Sequence, residues 1–138
     1  MPSKTVTLTA ATSLVRNVHG NGPVIVLNNV TGFTSTLPAS TGKGDKYDFY
    51  VAATVSSGAM IVAALGTDII QGAVAIASDV AGVTCPTTAT SDYITMNGGT
   101  TGGARGTRFT VEDVASGVWA ITGSLVSVGA EATPFAAT

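Results

Sequence analysis

The chain has 138 residues, enough for one domain with its own core, and its single cysteine, Cys85, allows neither an intramolecular disulfide nor a zinc cluster. Only 10% of its residues are charged, against about 25% in an ordinary soluble domain, so partners are expected to cover much of its surface. A net charge of -2 with six scattered Lys and Arg residues argues against nucleic acid as that partner, because phosphate binding needs clustered cations.

The first residues form no apolar stretch of the secretory kind, and no apolar run reaches the ~18 to 20 residues that span a bilayer. Neither export nor a membrane partner is therefore expected. Residues 5–9 alternate, with Val6 and Leu8 on one face and Thr5, Thr7 and Thr9 on the other. Burying two such side chains yields at most roughly 3 to 6 kcal/mol, whereas fixing the backbone costs about 1 to 2 kcal/mol per residue. Residues 1–9 are accordingly expected to be an arm that orders only where a partner strand adds a hydrogen-bond ladder.

Further along, His19 stands beside a turn and reads as a surface residue. Residues 24–27 form a continuous apolar run, and residues 34–37 a short strand stopped by Pro38. Residues 47–53 alternate, setting Tyr47, Phe49 and Val51 against Asp48 and Tyr50. Residues 60–64, 69–70, 74–76, 93–96, 108–113, 118–121 and 124–128 are the remaining strands. The alanine-rich residues 72–81 could hold a helical turn, but a helix is not favoured. Asn97-Gly98-Gly99 marks a turn, and residues 100–106, with three glycines, read as an exposed flexible loop. Residues 129–138 form a tail with Phe135 as its anchor.

β-Branched residues dominate, and good helix formers other than Ala are scarce. The fold class is all-β: a single compact domain, residues 10–128, of short antiparallel strands in a sandwich or barrel. A β-helix-like or prism-like trimer is the second architecture. Two Gly-led units, starting at Gly44 and Gly106, each run through a Ser-Gly loop to a returning strand and read as a pair of β-hairpins. Trp119 shares a face with Ile121, and Trp119, Phe49 and Phe109 are the expected core anchors.

Catalysis needs convergent groups with matched pKa values. His19 is the sole histidine, and no serine sits in a nucleophile elbow. Glu112 and Asp113 are neighbours on a strand and point to opposite faces. Asp45 and Asp48 alternate with Lys43 and Lys46, which suggests a solvated rim that neutralises itself. Gly42-Lys43-Gly44 precedes no helix and lacks the phosphate-loop pattern. No enzymatic activity, cofactor or metal is expected.

The block from Thr36 to Phe49, Thr-Leu-Pro-Ala followed by a glycine loop, Gly44-Asp45 and an aromatic strand, resembles a pattern of tailed-phage virion proteins. Asp68-Ile69-Ile70-Gln71-Gly72, Ile94-Thr95-Met96-Asn97-Gly98 and the run from Val111 to Trp119 continue it. The pattern is similar to that of small capsid decoration (cement) proteins and also of tail-fibre modules. The decoration family implies a structural protein made in the host bacterial cytoplasm. It would bind the outer surface of an expanded capsid, usually as a homotrimer, and staple neighbouring copies of the major capsid protein. The resemblance together with the sequence makes Thr5, Val6, Thr7, Leu8 and Thr9 the expected partner contacts. A fibre or adhesin module that binds a host glycan is the alternative; a chain that opens on Met1 and carries no repeat shaft favours decoration.

Overall fold

The computed structural model describes residues 4–78 and 82–138. The first three residues of the expected arm and the last three of the alanine-rich stretch lie outside the described residues. The elements are β1 (Thr5–Leu8), β2 (Thr12–Ser13), the helical turn α1 (Arg16–His19), β3 (Val24–Leu27), β4 (Thr34–Thr36), β5 (Lys46–Val51) and β6 (Met60–Ala63). They continue with β7 (Ile69–Ala77), β8 (Gly82–Pro86), β9 (Tyr93–Met96), β10 (Arg108–Ala115), β11 (Val118–Val126) and β12 (Phe135–Ala136). A seven-stranded sheet, ordered β1-β3-β5-β10-β11-β7-β8, faces a five-stranded sheet, ordered β12-β9-β6-β4-β2. The all-β fold is as expected, and no described helix is long and apolar enough to cross a membrane.

The strand directions depart from an antiparallel arrangement. The first six strands alternate between the sheets, so β1 with β2, β3 with β4, and β5 with β6 form three coils. Successive coils stack in parallel, β1 on β3 and β3 on β5 in the large sheet, β2 on β4 and β4 on β6 in the small one. Period-two alternation reports which face is buried and says nothing of the neighbour's direction. Direction is set by the connections, and these cross to the opposite sheet instead of closing a tight hairpin. This half of the molecule is wound like a β-helix. In the other half, β10 pairs antiparallel with β5 and β11, and β11 pairs in parallel with β7. The second Gly-led unit is therefore a hairpin, while the first crosses from β5 in one sheet to β6 in the other.

Alternation within β5 works as expected: Tyr47, Phe49 and Val51 are buried between the sheets. Phe49 lies opposite Phe109 on β10, and their rings stack with centroids 4.9 Å apart. Tyr47 meets Trp119 edge to face, with centroids 5.6 Å apart and planes at 77°. Trp119 is 1% exposed, Phe109 1% and Phe49 0%. The position opposite Phe109 on β11 is Gly123. A Cβ there would stand 2.5 Å from the Cα of Phe109, so no larger residue fits without moving the hairpin.

The segments expected to lie outside the domain are edge strands of its sheets. β1 pairs in parallel with β3, from Thr5 opposite Val24 to Leu8 opposite Leu27, and Leu8 is buried. Burial alone does not order this segment; the ladder it needs comes from β3 of the same chain. Leu8→Ala is expected to cost about 2 to 3 kcal/mol, the lower part of the range for a buried leucine because the site is at an edge. Chemical denaturation measures this, and an unchanged midpoint would mean that β1 is not docked. At the other terminus, β12 pairs with β9 and buries Phe135. Of residues 100–106, Arg105 and Gly106 are exposed as expected, but the middle of the loop is packed: Gly102, Gly103 and Ala104 are buried, and backbone bonds join Val55 to Gly103 and Ala104 to Val126.

Candidate functional site

The most elaborate polar arrangement is centred on Asp113. Residue 113 lies on the inward face of β10, one place from Glu112, and a bulge between Asp113 and Ala115 turns the chain there. The loop after Pro38 closes over this carboxylate. Its Oδ1 accepts hydrogen bonds from the Gly42 N–H at 2.6 Å and the Ser40 hydroxyl at 2.8 Å. Its Oδ2 accepts from the Thr41 N–H at 2.9 Å and the Thr41 hydroxyl at 3.2 Å. Gly42 adopts φ +81°, and a Cβ there would stand 3.3 Å from the Cα of Ala115. A residue without a Cβ is what lets its N–H reach the carboxylate.

Neighbouring groups tie the same loop down. The Ser40 N–H donates to Oδ2 of Asp68 at 2.7 Å. Two backbone bonds, Gly44 N–H to Asp113 O and Asp113 N–H to Asp45 O, lash β5 to β10. Asp45 is buried and accepts from Arg16 Nε at 2.9 Å and from Asn21 Nδ2 at 2.8 Å. The solvated rim expected here is thus corrected: Asp45 pairs with Arg16 from an earlier coil, and Lys46 faces Glu112 at 3.9 Å. His19 is buried too, not a surface turn residue, because its Nδ1 accepts the Val15 N–H at the start of α1.

The electrostatics suit a brace. Burial pushes the Asp113 carboxyl up, but the Thr41 and Gly42 N–H groups and the Ser40 and Thr41 hydroxyls outweigh it and hold the pKa below the ordinary value. Hydrogen bonds from Asn21 and Arg16 likewise lower that of Asp45. A depressed folded-state pKa contributes stability that is complete above the unfolded pKa and is lost as pH falls through the folded one. The melting temperature is therefore expected to fall as the pH drops below about 4, and less steeply in Asp113→Asn than in the parent. Parallel profiles would show that Asp113 does not report on folding. A carboxylate saturated by donors and closed off from solvent has no proton-transfer role to play.

Elsewhere, the outer face of the large sheet carries a shallow depression of about 340 Å³ lined by Lys46, Asp48, Thr110, Glu112, Ala120 and Thr122. Its charges answer one another: Lys46 faces Glu112, and Asp48 accepts the Thr110 hydroxyl. No group of three His, Cys, Asp or Glu able to hold a metal occurs among the described residues.

Of the residues singled out from sequence, Trp119, Phe49 and Phe109 lie in the core. Thr5, Val6, Thr7 and Leu8 form β1, and Thr9 follows it, its carbonyl accepting from Asn29 Nδ2 at 2.9 Å. Sequence reading missed the cluster of Ser40, Thr41, Gly42 and Asp113. The available signal was Asp113 itself, since alternation turns it inward whenever Glu112 faces out. Compared with protein-family models, curated proteins and solved structures, the chain matches none.

Proposed function

We propose that this chain is a structural virion protein of a tailed phage, one that decorates the outside of the capsid and braces neighbouring copies of the major capsid protein. The observation that carries this reading is where the resembling blocks meet. Thr36 to Phe49 supplies Ser40, Thr41 and Gly42; the next block supplies Asp68; the last supplies Asp113. Ser40 and Asp113 are 73 positions apart in the chain yet share one contact. A resemblance spread over blocks that cooperate in one latch supports a shared fold more strongly than a match of one short motif would. The low charge supports a protein that is partly covered in use.

Quantitative mass spectrometry of purified virions tests this reading. A decoration protein is expected at a copy number comparable with that of the major capsid protein. A few copies per particle would place the chain on a tail and favour the fibre reading.

A further inference from the structure

We infer that the free edge of β1 closes on a second copy of this chain about a two-fold axis normal to the sheets, with Thr7 opposite Thr7 of the other copy. This goes beyond the capsid reading and stands or falls without it.

The first coil ends both sheets at the same end of the molecule, β1 in the large sheet and β2 in the small one. In the β1–β3 ladder, the Lys4 carbonyl accepts from Val24 and the Leu8 carbonyl from Asn28. Even-numbered backbone groups therefore face β3, and the N–H and C=O of Thr5 and Thr7 face away from the sheet. Natural edges are usually blunted by charge or proline. The two edges at the far end have proline, Pro86 within β8 and Pro134 just before β12. Residues 5–15 contain neither proline nor a charged side chain.

The occupant follows from the pattern of this edge. Thr5-Val6-Thr7-Leu8-Thr9 is nearly palindromic about Thr7, and a two-fold interface must be self-complementary. Antiparallel pairing centred on Thr7 sets Thr5 opposite Thr9 of the other copy, and Val6 opposite Leu8. Threonine then meets threonine on the outer face, and aliphatic side chains meet between the sheets, where half-buried Val6 becomes covered. The outward N–H and C=O of Thr7 bond those of its counterpart, as a hydrogen-bonded antiparallel pair requires. Lys4 falls opposite Ala10, so no like charges meet.

Native mass spectrometry and sedimentation of the full chain at micromolar concentrations test this with Thr7→Pro and Thr7→Lys. Proline removes an N–H that bonds nothing among the described residues, and lysine sets two like charges face to face on the exposed surface. The parent is expected to be a dimer. Each variant should raise its dissociation constant at least about tenfold, with the circular dichroism and melting temperature of a folded monomer. Thr122→Lys, on the same outer face but away from the edge, should leave the dimer intact. A monomeric parent overturns the proposal, and so does a dimer or trimer that both folded variants leave unchanged. If Thr7→Pro fails to fold, Thr7→Lys alone decides.

Discussion

Asp113→Ala is expected to lower the unfolding free energy by about 3 to 5 kcal/mol. The carboxylate is 2% exposed and is met by the N–H groups of Thr41 and Gly42 and the hydroxyls of Ser40 and Thr41. Removing it costs the loop all of these hydrogen bonds at once, and each bond to a charged group contributes roughly 1.5 to 3 kcal/mol; Thr41 and Gly42 are exposed, so water meets part of the loss and keeps the total below the sum. The loop they belong to also joins β5 to β10, so its release weakens the seam between the coiled half and the hairpin half. Asp113→Asn should be milder, since one oxygen still accepts, though its amide N–H groups then face donors. Denaturant titration distinguishes these outcomes. A loss under about 1 kcal/mol for Asp113→Ala would place the carboxylate among ordinary surface contacts.

Trp119→Ala is expected to cost a further, independently measured 3 to 5 kcal/mol or so. The indole is the largest fully buried side chain and stands edge to face against Tyr47. Its Nε1–H has no hydrogen-bond partner among the described residues, so the loss comes from packing and not from a broken polar contact. Trp119→Phe, which keeps an aromatic ring against Tyr47 and removes the orphaned donor, should recover much of the difference. A sugar-stacking role requires the opposite behaviour, an unchanged melting temperature with loss of glycan binding. At 1% exposure the ring offers no face to a sugar. Trp119 and Asp113 lie on adjacent strands, directly opposite one another, so the double variant is expected to deviate from additivity.

What could be read from the sequence was which side chains go inside. Alternation assigns Tyr47, Phe49 and Val51 to the core and puts Trp119 and Ile121 on one face, and all five are buried. Strand direction could not be read this way, because the three parallel coils depend on where the loops cross. β7 runs unbroken from Ile69 to Ala77, although Gly72 makes it look like two pieces. Its neighbour β8 was missed because Gly82 and Pro86 mark a loop, and an edge strand tolerates both. The few apolar side chains of β1 cannot offset the cost of order alone and so suggest an arm; the missing contribution is the ladder with β3. The latch was half legible. Asp113 had to face inward, but that Ser40, Thr41 and Gly42 would meet it depends on a contact across more than seventy residues.

Binding to capsids that lack this protein is the most direct test of a capsid-bracing role. Purified chain mixed with expanded capsids should co-sediment with them to saturation and raise the temperature at which the capsids come apart. Capsids that neither bind the chain nor gain stability from it would contradict the account.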